Sequence, residues 1–142
     1  MAKTMDVFMK GKAKQVVTEE VVVSKRYTDE DGNPIPFVLK AIDTRRIEEL
    51  QDECTIAQMK KGKKVGETVD WKRFASRLAV ETTVYPNFKD PELLKSYNVV
   101  DPSELIKEIL SVGGEYAELV QAVQRVNGFD QDFEELVEDA KN

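Results

Sequence analysis

The sequence predicts an α+β domain that is predominantly α, with an N-terminal β-hairpin followed by about six helices in one compact unit. Residues 21–27 and 36–42 are rich in β-branched and aromatic side chains and flank a cluster of turn-forming residues. The chain after Asp43 instead repeats apolar residues at helical spacing. A length of 142 residues suits one domain with a hydrophobic core.

The domain is expected over residues 19–142, with the hairpin at 21–42 and the helical part at 43–140. Residues 1–18 alternate small, basic and apolar types without a sustained period. We therefore expect them to form a flexible leader that orders on a partner.

The hairpin turn is expected within residues 29–34 (DEDGNP). Gly32 and Asn33 tolerate positive φ, and Pro34 lacks the N–H group that further strand pairing requires. Because everything after Asp43 has helical character, this one hairpin is expected to set the architecture.

The first helix is expected to begin at Asp43 or Thr44, either of which can cap it, and to end near Lys61-Gly62. Its apolar face comprises Ile47, Leu50, Cys54 and Ala57. A polar loop with two glycines is expected over residues 62–67. The position of Cys54 on the inward face predicts an inert, buried thiol.

The second helix is expected to start after Asp70 and to stop before Pro86. One stripe along it carries the apolar and small side chains Trp71, Phe74, Ala75, Leu78 and Thr82.

Two Asp-Pro pairs, Asp90-Pro91 and Asp101-Pro102, predict two more helix starts, because aspartate caps the first turn and proline presets φ. The first helix is short and ends near Asn98, which can adopt the left-handed conformation. The second is interrupted by Gly113-Gly114. Its buried residues are expected to be Leu105, Ile106, Ile109 and Leu110.

A further helix is predicted over residues 115–126, ended by Asn127-Gly128. Asp130 can cap a last one. The apolar residues of that last helix are Phe133, Leu136, Val137 and Ala140.

The composition disfavours catalysis. The chain has no histidine, which removes the most frequent general base near neutral pH and the nucleophile pairs that depend on it. No glycine-rich loop ends in Gly-Lys followed by a hydroxyl residue, and one cysteine without histidine leaves only carboxylates as metal ligands. We predict a protein that is not an enzyme, with no cofactor and no metal.

A cytoplasmic location is expected. No apolar run approaches the ~20 residues needed to span a bilayer, and the apolar run at residues 7–9 is too short for a signal-peptide core. A single cysteine cannot form an internal disulfide, which fits a reducing compartment.

The net charge of −6 is unevenly distributed. Eleven acidic and three basic residues between Asp101 and Asn142 give −8, which leaves +2 for residues 1–100. This acidic end is either a solvated face of the C-terminal helices or an interaction surface.

Two groups of residues have both a structural and a binding interpretation. The lysines of residues 60–64, with Trp71 and Phe74, could contact nucleic acid, although the two aromatic residues lie on the apolar stripe and suit the core. Phe129, Phe133, Leu136 and Val137 either close the core or form an amphipathic docking helix.

Several segments, in this order, resemble the XkdN-like tail assembly chaperones of tailed bacteriophages and defective prophages. The resemblance covers roughly residues 20–130. Its segments are residues 27–37 (YTDEDGNPIPF), 40–42 (KAI), 77–80 (RLAV), 83–88 (TVYPNF), 93–94 (LL), 102–106 (PSELI), 113–116 (GGEY) and 126–129 (VNGF).

The resemblance implies a small cytoplasmic factor that binds the tape-measure protein until tail-tube subunits polymerise around it, and that is absent from the finished virion. The tail-tube protein and a second copy of the chain are further candidate partners. The alternatives are a structural tail component and a prophage nucleic-acid-binding regulator; a membrane partner is not expected, and the overall acidity weighs against nucleic acid.

We place the partner-binding surface at the apolar residues between Val84 and Asn98, together with the C-terminal helix. Turn-forming residues in this stretch alternate with large apolar side chains, a pattern typical of an exposed contact. The predicted contact residues are Tyr85, Phe88, Leu93, Leu94, Phe129, Phe133 and Leu136.

Overall fold

The computed structural model describes residues 4–129 and contains, within that range, five α-helices and two small antiparallel sheets. The predicted α+β class is confirmed. Of the six helices predicted, the last, over residues 130–140, lies outside the described residues, as do Phe133 and Leu136.

The first sheet has three strands in the order β1-β2-β5: β1 is Glu19–Val21, β2 is Phe37–Leu39 and β5 is Thr83–Tyr85. The predicted pairing of the two N-terminal segments is confirmed by the antiparallel register of β1 and β2. The strands are shorter than expected, and a third strand joins them. Thr83 and Val84 are β-branched, which favours the extended backbone directly after a helix.

Residues 22–36 form a long connection that closes at an isolated bridge between Thr28 and Pro34. Gly32 has φ +83°, as the turn prediction requires, whereas Asn33 does not have positive φ, and Pro34 takes part in the bridge rather than preventing it.

A second hairpin follows the first helix, α1 (Thr44–Glu53): β3 is Thr55–Lys60 and β4 is Lys63–Val69. The prediction of a helix as far as Lys61-Gly62, followed by a polar loop over residues 62–67, was wrong. Helical spacing continued by chance as far as Ala57, which is exposed on β3. Lys61 at φ 53° and Gly62 at φ 79° form the tight two-residue turn that right-handed strand twist favours.

The remaining helices are α2 (Trp71–Thr82), α3 (Pro91–Ser96), α4 (Pro102–Ile109) and α5 (Gly113–Val126). The predicted caps are confirmed: the side chains of Asp70, Asp90 and Asp101 each accept a backbone N–H of the first turn. Asn98 has the expected positive φ of 56°. The prediction placed Gly113-Gly114 before the next helix, but these glycines form its first two residues.

Helix α2 is the centre of the core, because α1, α4, α5 and β5 all pack against it. The side chains that are fully enclosed include Leu39, Leu50, Cys54, Leu78, Ala79, Leu105, Ile106, Leu119 and Val123. Across the described residues, every helix is too short or too polar to traverse a bilayer.

An ion pair links residues 22–36, which connect β1 to β2, with the start of α5. Arg26 Nη2 lies 2.5 Å from Glu115 Oε1, and the Ser24 hydroxyl also donates to this carboxylate. The hydrogen bonds from Arg26 and Ser24 lower the pKa of Glu115 to about 2. The hydroxyl of Tyr27 donates to the carbonyl of Ile109 at 2.6 Å, so the same connection also contacts the end of α4.

Candidate partner-binding surface

The edge of the first sheet exposes two adjacent apolar side chains. Strand β5 is an edge strand, and Val84 and Tyr85 are 52% and 53% exposed. Val38 pairs with Tyr85 and Leu39 pairs with Thr83, so Val84 is an extra residue in a β-bulge. Because a bulge interrupts the alternation of side chains, it allows two successive residues to face outward. We call Val38, Val84 and Tyr85 the β5 rim.

Thr83 holds the rim against α2. Its side chain is buried, and its hydroxyl donates to the carbonyl of Ala79 at 2.7 Å. The strand therefore starts from a fixed point on the last turn of the helix.

Phe88 does not belong to this exposed surface, contrary to the prediction. It is 1% exposed, and its ring centroid lies 6.0 Å from that of Phe37 in a tilted arrangement. Sequence position alone could not separate Phe88 from Tyr85, because both are aromatic residues of the same short stretch. In the folded chain Phe88 is a core residue.

Leu93, Leu94 and Phe129 have intermediate exposure and pack against the core. Phe129 follows α5, where Gly128 has φ +85° and the Phe129 N–H donates to the carbonyl of Gln124 at 2.8 Å. This is the Schellman arrangement that ends many helices. Phe129 thus packs partly against the core, and its predicted contact with a partner stays a prediction.

The structure therefore brings one predicted residue, Tyr85, to an exposed position and adds Val84, which the prediction did not include. The bulge that turns Val84 outward follows from the register in which β5 pairs with β2. Because β2 is distant in sequence, the residues around Val84 do not indicate this bulge.

An ion-pair network flanks the rim. Glu81 receives Arg46 Nη2 at 2.5 Å and Lys89 Nζ at 3.1 Å. Burial by itself would raise the pKa of Glu81, but the hydrogen bonds from Arg46 and Lys89 outweigh it, and the net pKa is lowered. The network therefore joins α1, α2 and the segment that follows β5.

The same charged residues line a groove of about 760 Å³ between α1, α2 and α4. Its lining has six basic and four acidic side chains. The groove is therefore polar, and its charges of opposite sign lie close together. It does not offer an apolar partner the contact that the rim does.

The reactive and aromatic residues weighed in the sequence occupy structural positions. Cys54 is buried, and this burial raises the pKa of its thiol, as expected for an inert cysteine. Phe74 is buried with Trp71 packed edge-on against it at 5.5 Å. Among residues 4–129, no group of three histidine, cysteine, aspartate or glutamate side chains is placed to hold a metal ion.

Comparison with known proteins places this fold in a family. The family model described as "Phage XkdN-like tail assembly chaperone protein, TAC" matches residues 5–141. The chain therefore belongs to the XkdN-like phage tail assembly chaperones, and the resemblance inferred from the sequence is confirmed. The role of this family, an assembly chaperone, is not an enzymatic one.

Two relatives come from Bacillus subtilis strain 168. The protein YqbN is 49% identical over 135 residues, which cover 95% of this chain and 91% of YqbN. The phage-like element PBSX protein XkdN is 44% identical over 135 residues, with the same coverage. A crystal structure of YqbN has a TM-score of 0.77 and 42% identity, and the match covers 92% of this chain and 100% of that one.

Proposed function

We propose that this tail assembly chaperone binds the tape-measure protein and keeps it soluble until tail-tube subunits polymerise around it. It does so in the cytoplasm, without catalysis, and is absent from the finished particle. Membership of the chaperone family supports the assembly role. The tape-measure protein is the partner that most needs such help, because a long chain of amphipathic helices exposes apolar surface until it is enclosed.

The β5 rim is the contact surface in this proposal. The observation that carries it is the exposure of Val84 and Tyr85, side by side on an edge strand. Burial of an apolar side chain contributes about 1.5–3 kcal/mol when it is complete, and roughly half of each side chain is accessible. Leu93 and Leu94, which are partly exposed on α3, are assigned to the margin of the contact.

A pull-down with the tape-measure protein tests the rim. The double variant Val84→Ser/Tyr85→Ser removes the apolar contact while leaving the buried Thr83 in place. We expect the affinity to fall roughly tenfold or more, since each lost side chain removes about 1 kcal/mol or more.

The matched control is Val112→Ser, because Val112 is 54% exposed and precedes α5. The other end of α5 contacts α2 through the hydrogen bond from Asn127 Nδ2 to Thr82 Oγ1. The 14 residues of α5 separate Val112 from that contact by about 21 Å. The control should bind like the wild type. If the double variant binds as tightly as the wild type and has the same free energy of unfolding, the assignment of the rim is contradicted.

A further inference from the structure

The second hairpin, Thr55–Val69, extends from the core as a two-stranded ribbon. Its strands pack on each other far more than on any helix. Ile56, Met59 and Val65 are 48%, 60% and 61% exposed on it. A two-stranded ribbon is only marginally stable by itself, and these apolar side chains do not contribute to the core. The ribbon thus presents apolar surface without a partner in the chain as described.

The tip of the ribbon carries four lysines, and their mutual repulsion destabilises the hairpin. Lys60 is paired directly across the strands with Lys63, and Lys61 and Lys64 adjoin them. Like charges opposite each other destabilise an antiparallel pair. Lys64 Nζ lies 2.5 Å from Glu67 Oε1, which offsets one of the four charges. An anionic partner would relieve the remaining repulsion.

The chain itself contains a segment with complementary chemistry. Residues 130–142 carry six acidic residues and one lysine, with Phe133, Leu136 and Val137 among them. Acidic and apolar side chains thus occur together in one short segment, as basic and apolar side chains do on the ribbon. We propose that the ribbon binds the acidic segment 130–142 of a second copy of this chain, so that two copies exchange these contacts.

The ribbon and the end of the described chain lie at opposite ends of α1. The described chain leaves α5 beside the start of α1, where the Ile42 N–H donates to Asn127 Oδ1 at 3.0 Å. The ribbon begins at the other end of α1, where the Asp70 N–H donates to the Cys54 carbonyl at 2.8 Å. The ten residues of α1 separate these points by about 15 Å. Exchange between two copies forms the contact twice, as two-fold symmetry requires.

Sedimentation of the full chain over a wide range of concentrations tests the proposal. We expect a concentration-dependent dimer at low salt that weakens in ~1 M salt, where charges are screened beyond about 3 Å. A chain that remains monomeric at every concentration at low salt would overturn the proposal.

Charge substitution tests which surfaces meet. Lys60→Glu/Lys63→Glu cancels the net charge of the four lysines at the tip, and Glu134→Lys/Glu138→Lys lowers the net charge of residues 130–142 from −5 to −1. We expect each variant alone to dimerise about tenfold or more weakly, because the charge attraction is removed from both contacts. An equimolar mixture of the two variants should associate again, because the unaltered ribbon of one can bind the unaltered acidic segment of the other. Failure of the mixture to associate would overturn the assignment even if each variant is monomeric.

Lys25→Glu/Lys40→Glu is the control for the ribbon variant, because it changes the net charge by the same amount and both lysines are exposed and lie outside the ribbon. This control should dimerise like the wild type. The apolar contribution is tested by Ile56→Ser/Met59→Ser, which keeps the charge and should also weaken the dimer. Binding of duplex or single-stranded DNA by a monomeric wild-type chain, lost in the ribbon variant, would overturn the proposal in favour of a nucleic-acid partner.

Discussion

Tyr85 and Phe88 lie three residues apart and have opposite roles. Tyr85 is half exposed on the edge of a sheet, whereas Phe88 is enclosed beside Phe37. Residue type alone assigns both to one surface, because both are aromatic. Only the packing of the folded chain separates the side chain available to a partner from the one that stabilises the domain.

Replacement of Phe88 should therefore affect stability before it affects binding. Phe88→Ala leaves a cavity in the core and is expected to lower the free energy of unfolding by about 3–5 kcal/mol. Tyr85→Ala, at an exposed position, should change it by about 0.5 kcal/mol or less. Chemical denaturation of both variants makes the comparison, and equal losses would contradict the placement of Phe88 in the core.

The carboxylate of Glu115 should make stability depend on pH at low pH. Its folded pKa of about 2 lies below the ordinary value of 4.5, chiefly because Arg26 and Ser24 donate to it. A lowered pKa contributes stability that is fully present above the unfolded pKa and is lost as pH falls towards about 2. Glu115→Gln should thus be less stable than the wild type at pH 7, and the difference should shrink between about pH 5 and pH 2.

Denaturation of wild type and variant across this range measures the effect. Glu118→Gln, an exposed position on the same helix, is the control for the loss of one carboxylate from α5. A difference for Glu115→Gln that stays constant down to pH 2 would show that the ion pair with Arg26 does not form.

At the scale of elements, the local sequence predicted the helix starts correctly but missed the second hairpin. A cap acts within one turn, so Asp70, Asp90 and Asp101 are visible in a short window of sequence. The ribbon buries little apolar surface, so it lacks the alternation that identifies a half-buried strand. Its clearest signal was the Lys61-Gly62 pair, because glycine supplies the positive φ that a two-residue hairpin turn requires.

The predicted binding surface, between Val84 and Asn98, stays a prediction. Which of its side chains are exposed depends in part on the pairing of β2 with β5. Residues that are distant in sequence determine that register. Tyr85 could thus be proposed from the sequence, while Val84 required the folded chain.

The ribbon and α2 should differ in local stability. Amide hydrogen exchange reports opening of each element, and elements with few buried contacts open at low free-energy cost. We expect backbone amides of residues 56–68 to exchange far faster than those of α2 in dilute protein at high salt. Equal protection under these conditions would contradict a ribbon that packs mainly on itself.

At the scale of the whole molecule, the elements differ in charge. The rim carries apolar side chains, whereas the ribbon combines apolar side chains with a basic tip, and residues 130–142 are acidic. Such differences allow one surface to bind an apolar partner while others associate through charge.

Co-expression of this chain with the tape-measure protein of the same phage genome tests the central claim most directly. The measurement is the fraction of tape-measure protein that stays soluble and co-purifies with the chain. We expect that fraction to rise well above the level without the chaperone, and to fall again with Val84→Ser/Tyr85→Ser. A tape-measure protein that remains insoluble beside a folded, soluble chain would contradict the chaperone function and favour a structural tail component, which would then be found in purified particles.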